Sequence, residues 1–383
     1  MPPPSLPLHP PSYRHGALPD VLPSIVASLG FAPGHRRPSL ILPPARRSVV
    51  VLLDGLGERL LRRRAGHAPF LRSLLDSNPA LACGFPSTTA TSMASFGTGL
   101  PPGAHGLLGY QSIIPGTGVV FDHLSWEHGP DPRAWQPEST VFERSVAAGL
   151  PVARIGLPRF DGSGLTVAAL RGGRFFGANS LAAGVDAALR FVDRHQQALA
   201  YLYWGDIDKA GHETGCDSLP WTRALEEADT HLGRLAERLP ADASLHVTAD
   251  HGMVDVPFDQ RIDLATDREL DAGIVAIGGE PRAPHLYCAP GAAADVAAAW
   301  SARFGERALV VEREAAIAAG WFGMTAERNR PRIGDVVVAF DAGLAVEDSR
   351  RSKPVLLTLL GMHGSMTPDE VEVPLLTLPP RAA

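Results

Sequence analysis

The sequence lacks most of the features that would commit it to a specialised protein class. Only three cysteines occur in 383 residues, Cys83, Cys216 and Cys288, an odd number at long spacings with no CxxC pair. That argues against a disulfide framework and for a reducing compartment. Lysine is nearly absent: Lys209 and Lys353 are the two, and the other basic residues are arginine. Acidic residues outnumber basic ones, for a net charge of −6, which argues against a dedicated duplex nucleic-acid binder. No stretch approaches the roughly 20 apolar residues of a membrane helix. The start, Met1-Pro-Pro-Pro, has neither the basic residues nor the apolar run of a secretory signal. The expectation is a cytoplasmic protein with no membrane contact. Hydrophobic residues at 45% and charged residues at 20% are ordinary globular usage, so disorder, collagen and coiled coil are excluded.

The length suggests two or three folding units. Residues 1–46 are punctuated by proline, with a short helix expected near 20–29, and read as an arm wrapping the main body. Three segments then share one design, an apolar run leading to a carboxylate: Arg47-Ser-Val-Val-Val-Leu-Leu-Asp-Gly, Ala198-Leu-Ala-Tyr-Leu-Tyr-Trp-Gly-Asp and Ala243-Ser-Leu-His-Val-Thr-Ala-Asp-His. Such runs suit strands covered on both faces of a parallel sheet. Trp221, Leu225, Leu232, Leu235 and Leu239 recur at helical spacing, predicting an amphipathic helix over 221–239. The fold class is therefore α/β, with a largely parallel central sheet flanked by helices. From 256 to 340 the character changes to short strands around an alanine-rich helix near 292–304, which predicts a small α+β cap inserted into a core of 47–255 and 341–383. The chain is expected to re-enter the core along the apolar run 354–363 and to end in a strand near 373–378.

In open parallel sheets, ligands bind beyond the carboxyl ends of the strands. Asp54, Asp208 and Asp250 would converge there, and three carboxylates repel one another unless cations neutralise them. His212 lies four residues after Asp208, His251 follows Asp250, and His363 sits in a Gly-Met-His-Gly turn. Carboxylate plus imidazole is a donor set for zinc or manganese, not calcium. Singly, each residue is an ordinary turn, cap or loop residue; the case rests on six of them at strand ends. A second constellation, Phe85-Pro-Ser-Thr-Thr-Ala-Thr-Ser-Met, clusters hydroxyls where a helix opens. Free N–H groups at such a terminus suit a phosphate, and a threonine there beside a divalent cation could attack phosphorus. Spacing leaves Thr88, Thr89 and Thr91 equally eligible.

Val51-Leu-Leu-Asp-Gly, the Phe-Pro-Ser-Thr-Thr segment with its Thr-Gly-Leu-Pro-Pro-Gly-Ala-His-Gly tail, Asp208-Lys-Ala-Gly-His, Thr248-Ala-Asp-His-Gly-Met and Gly361-Met-His-Gly occur in an order that resembles the alkaline phosphatase superfamily. The closest branch is similar to the type I phosphodiesterase/nucleotide pyrophosphatase group. The resemblance implies an alkaline phosphatase-like fold and a two-metal site. Asp208, His212 and His363 would hold one ion; Asp54, Asp250 and His251 would hold the other, with Thr89 as nucleophile and additional ligand. It implies Mn2+ or Zn2+ as cofactor and a phosphothreonine intermediate. Nucleotide pyrophosphatases carry asparagine three residues after the nucleophile to bind a phosphoryl oxygen; Ser92 stands there in this chain, a shorter donor for the same substrate contact. Asp206 lies beside the motif as a supporting residue.

No arginine lies between Phe85 and His105 to grip the extra charged oxygen of a monoester, which favours a diester unless Arg154, Arg159 or Arg171 reaches in. Neither Cys-x-Pro-x-Arg nor Ser-x-Pro-x-Arg, the sulfatase signatures, is present. Ligand spacing and cap position resemble bacterial cyclic di-AMP phosphodiesterases, which implies a small nucleotide substrate opened to linear pApA and then AMP. A phosphonoacetate-type or phosphomonoester hydrolase, or a catalytically silent nucleotide binder, are the alternatives. Phe121, Trp126, Trp135 and Phe160 are read as core aromatics despite their capacity to stack on bases. Arg59, Arg62, Arg63 and Arg64 are read as a solvated helix face.

Overall fold

The computed structural model describes residues 8–32 and 39–381. Its central sheet has six strands: β1 Arg47–Leu53, β2 Val152–Gly156, β3 Arg174–Gly177, β4 Ala198–Trp204, β5 Ala243–Thr248 and β6 Leu375–Leu378. They lie in the order β6-β5-β1-β4-β2-β3. All neighbours are parallel except β6, which runs antiparallel to β5. Val49 to Leu52 of β1 are fully buried, as an apolar run covered on both faces requires. The flanking layers include α1 Val21–Ser28, α2 Thr89–Thr98, α3 Leu181–Asp193, α4 Asp206–Thr214 and α5 Leu219–Arg238. Helix α5 turns Trp221, Leu225, Leu232 and Leu235 to the core and starts on a Ser218 cap, whose Oγ accepts from the Trp221 amide.

The register aligns the strand ends. Leu53 pairs with Trp204 and Leu52 with Thr248. The turns after β1, β4 and β5 therefore leave the sheet side by side, at the edge where ligands bind in parallel sheets.

A second, antiparallel sheet of six strands stands apart, in the order Ala308–Glu312, Val336–Phe340, Ala283–Cys288, Ile274–Glu280, Gln111–Ile113 and Val120–Asp122. Helix α6 Ala293–Phe304 covers it, and Trp300, Phe304, Leu286 and Phe340 form a core of their own. Its membership crosses the boundary expected at 256, because residues 111–122 contribute a hairpin. Those strands have three residues each, too short to show as an apolar run.

Three other expectations differ from the structure. Residues 354–360 do not rejoin the core: they form a partly exposed turn around Leu356–Thr358, and Gly361–Met362 pairs with Val254–Asp255 in a two-stranded ribbon. Their apolar side chains Leu356 and Leu357 wall a cavity instead. Asp208 is not at a strand end but in the first turn of α4, two residues beyond Asp206. Of the 1–46 arm, residues 1–7 and 33–38 lie outside the described residues; Leu18, Val21, Leu22 and Ile25 are fully buried and belong to the main core. Among the described residues no helix is long and apolar enough to cross a membrane.

Candidate metal centre

Three carboxylates and three imidazoles meet beyond β1, β4 and β5. Asp54 follows β1, its amide bonded to the Trp204 carbonyl at 2.9 Å. Gly55 then turns the chain with φ +72°, and a Cβ there would lie 2.9 Å from Asp208 Cα, so glycine lets α4 approach. One helical turn separates Asp208 and His212, whose Oδ1 and Nε2 are 3.4 Å apart. His251 Nε2 lies 3.4 Å from Asp54 Oδ1 and 3.5 Å from Asp250 Oδ2. The His251 and His363 rings stack at 3.7 Å, and His212 meets His363 at 5.1 Å.

Each histidine is held by one nitrogen. His212 Nδ1 donates to Gly361 O (2.8 Å), His251 Nδ1 to Gly252 O (2.9 Å) and His363 Nδ1 to Ser87 O (2.9 Å). A carbonyl only accepts, so each Nδ1 carries the proton and each Nε2 presents a lone pair, the arrangement found behind metal-bound histidines. Burial, followed by the neighbouring His251 and His212, holds His363 well below the ordinary histidine range, and it stays neutral.

The carboxylates are left unsatisfied. Asp54 Oδ1, Asp208 Oδ1 and Asp250 Oδ2 are buried without a hydrogen-bond partner. Among the described residues no lysine or arginine pairs with any of them. Burial and then the charge of Asp208 raise Asp250 to about 7; burial and then Asp250 and Asp208 raise Asp54. Three orphaned oxygens facing three imidazole lone pairs fit divalent cations in both charge and donor type. The ligand atoms of Asp208, His212 and His363 lie within 4.8 Å of one another, as do those of Asp54, Asp208 and His251. Asp208 thus belongs to both groups, and Asp250 reaches the second through its orphaned Oδ2.

The hydroxyls of the cluster differ in accessibility. Thr88, Thr91 and Ser92 are buried, whereas Thr89, the first residue of α2, is only partly buried. Its Oγ1 lies 3.2 Å from His251 Nε2. Ser92, on the next turn, lies beside the Cys83 thiol with an unspent Oγ.

Several contributors escaped sequence reading. The Tyr203 hydroxyl donates to Asp54 Oδ2, and burial followed by the Asp54 charge keeps it protonated. Ser87 accepts from the Gly364 amide (3.1 Å) and donates to Ser365 O (2.7 Å), fixing the His363 loop. Behind that loop Arg282 and Glu370 form a fully buried bidentate pair at 2.7 and 2.8 Å. Glu370 also takes the Ser365 amide (3.0 Å), and its carbonyl takes the Gly252 amide (2.8 Å), so one residue braces two histidine loops. Chain-distant pairs of this kind leave no local pattern. Asp206 accepts from Trp204 Nε1 at 2.8 Å and supports the turn.

The remaining arginines and aromatics are placed elsewhere. Arg171 is spent on Glu143 and on backbone carbonyls, and Arg154 lies over Phe175. Arg159 lies over Phe160, whose edge meets Tyr203 at 5.6 Å. Phe121, Trp126 and Trp135 pack on one another and on His123. Arg59, Arg62, Arg63 and Arg64 pair with Glu372, Glu58, Asp369 and Asp217 at the surface.

Comparison with known proteins gives this arrangement a setting. Residues 48–366 match the family model for type I phosphodiesterase / nucleotide pyrophosphatase. An uncharacterized pyrophosphatase/phosphodiesterase of Schizosaccharomyces pombe is 29% identical over 219 residues, 54% of this chain and 44% of that protein. A phosphopentomutase of Anaeromyxobacter is 36% identical over 119 residues, 30% of this chain and 28% of that protein. The chain thus spans less than half the length of these curated relatives. Murine ectonucleotide pyrophosphatase/phosphodiesterase 5 shares the fold, with a TM-score of 0.69 at 20% identity over 87% of this chain and 88% of that one. An inactive threonine-to-alanine form of it has been solved in complex with AMP, also at a TM-score of 0.69 and 20% identity, over 88% of each chain. A family match running from β1 to beyond His363, over a fold and a carboxylate–imidazole cluster of this kind, makes the chain a member of the type I phosphodiesterase/nucleotide pyrophosphatase family.

Proposed function

We propose that this protein is a metal-dependent phosphodiesterase that cleaves nucleotide diesters through Thr89, with cyclic di-AMP as substrate, opened to pApA and then to AMP. The observation that carries the reading is the set of orphaned oxygens on Asp54, Asp208 and Asp250 facing the Nε2 atoms of His212, His251 and His363, with the accessible Thr89 hydroxyl at its edge. Asp208, His212 and His363 would hold one ion; Asp54, Asp250 and His251, with Thr89, the other. Two divalent ions, Mn2+ or Zn2+, would supply the positive charge that acidifies a nearby hydroxyl and shields phosphoryl oxygens.

The chain's own residues do the rest. Thr89 Oγ attacks phosphorus in line as the bond to the departing alcohol oxygen breaks, leaving a phosphothreonine. Water then cleaves that ester and restores the hydroxyl. The free N–H groups at the start of α2 face the phosphate, and Ser92 is assigned as donor to one of its oxygens. Three carboxylates against two divalent ions leave a net positive centre, enough for a singly charged diester. Among the described residues no arginine pairs with the cluster to favour a doubly charged monoester. The AMP complex of the murine neighbour and its inactivation by threonine-to-alanine exchange support the nucleotide and the nucleophile. We place the protein in the cytoplasm on its three free cysteines.

Cyclic di-AMP, bis(p-nitrophenyl) phosphate and phosphonoacetate assayed side by side with each metal test this. Diester turnover that EDTA abolishes supports it. Turnover of phosphonoacetate or monoesters without any diester cleavage overturns it.

A further inference from the structure

A cavity of about 550 Å3 lies between the second sheet and the 346–357 segment. That is within the range of small-molecule sites, roughly 300–1,000 Å3. None of the six expected metal ligands lines it, but Glu280 connects it to them. Glu280 ends the strand Ile274–Glu280 and is 8% exposed, with Oε1 buried and without a partner. Its carboxyl neighbours the hydroxyl of Thr88, the residue before Thr89, and the Tyr110 amide. Its Cβ packs so tightly on the residue after His363 that a Cβ at Gly364 would lie 2.6 Å away. Glu280 therefore faces the metal centre on one side and the cavity on the other.

Two of the cavity's other acidic groups are already used. Asp122 accepts from the Tyr110 hydroxyl (2.6 Å) and from the Leu124 and Ser125 amides (2.6 and 3.0 Å). Asp348 pairs with Arg350 at 2.8 Å and Arg351 at 3.5 Å. An orphaned buried oxygen is destabilising, a penalty that a ligand donor removes. Of its lining residues Val275 is exposed. A buried acceptor beside apolar lining such as Val275, Ile277 and Leu356 fits a flat group bearing amino or hydroxyl hydrogens.

We propose that this cavity receives a nucleoside of the substrate and that Glu280 determines specificity by hydrogen bonding to its amino or hydroxyl groups. This rests on the nucleotide-diester reading and names where the nucleoside goes. Adenosine alone is the probe, titrated calorimetrically into the purified full chain, since its binding needs no turnover. The wild type binds; Glu280→Leu weakens binding at least about tenfold, and Glu280→Gln, which keeps an acceptor, stays within about threefold. In turnover, Glu280→Leu lowers the ratio of kcat/KM for the dinucleoside monophosphate ApA to that for bis(p-nitrophenyl) phosphate by at least about tenfold. Ile277→Trp, which fills the cavity from its wall, lowers the same ratio and serves if the leucine variant fails to fold. Equal adenosine binding in all variants, no binding to the wild type, or choline bound in place of adenosine overturns the proposal. A wild type that binds adenosine but cleaves neither diester would instead sink the phosphodiesterase reading.

Discussion

Asp250→Asn separates what the metal centre does for chemistry from what it does to stability. In the metal-free protein Asp250 Oδ1 accepts from the Gly55 and His251 amides, each at 3.1 Å, and asparagine keeps that oxygen. The exchanged atom is the orphaned Oδ2, 3.5 Å from His251 Nε2; an amide N–H there faces a lone pair that accepts it. Burial, then the charge of Asp208, raises the Asp250 pKa to about 7. A folded pKa above the unfolded one contributes stability that is present below about pH 4 and lost as pH rises to about 7. Above pH 7 the aspartate therefore penalises the metal-free fold by up to about 4 kcal/mol. The variant is expected to melt a few degrees higher than the wild type at pH 8 in EDTA, and the gap should close toward pH 4. With Mn2+ or Zn2+ the gap narrows. The wild type gains about 2.7 kcal/mol at a hundredfold excess over Kd, whereas the variant, short of one ligand, gains less and is inactive. Scanning calorimetry with and without EDTA at both pH values reads all of this. A variant less stable than the wild type in EDTA at pH 8, or equally stabilised by metal, refutes the reasoning.

Thr89→Ala should keep the fold and lose at least roughly three orders of magnitude in kcat. Thr88→Ala and Thr91→Ala should each lose less than about tenfold, because their side chains are buried; equal losses across the three threonines would reject Thr89 as nucleophile. Tyr203→Phe removes the hydroxyl that donates to Asp54 and should weaken metal affinity about 10- to 100-fold, measured by competition with a chelator; an unchanged affinity would deny it that role. Glu370→Gln leaves Arg282 buried against a neutral partner and should cost about 3–5 kcal/mol in urea unfolding. A loss under about 1 kcal/mol would show that the pair does not brace the histidine loops.

What the sequence disclosed and what it hid follow from range. Segments such as Arg47–Leu53 and Ala243–Thr248 carry their burial in composition, so the sheet and the carboxylates beyond it were legible. Asp208 and His212, four residues apart, also announce a shared helix face, although their helix rather than a strand end presents them. The threonine cluster was ambiguous because spacing says nothing of which hydroxyl stays accessible; in the structure Thr88 and Thr91 are buried. The Gln111–Ile113 and Val120–Asp122 hairpin joins the second sheet beside Gly279, a contact between residues 168 positions apart that no local pattern encodes. Glu280 reads as a polar strand terminus in Gly-Gly-Glu-Pro, and only tertiary packing buries it. The run 354–360 misled because apolar composition marks a cavity wall as readily as a core strand.

The central claim is that scattered carboxylates and imidazoles assemble around two cations. Anomalous diffraction from crystals soaked in Mn2+ tests it most directly. The expected result is two peaks about 4 Å apart, one among Asp208, His212 and His363, the other among Asp54, Asp250, His251 and Thr89. A single peak, or ions bound away from these side chains, would contradict it.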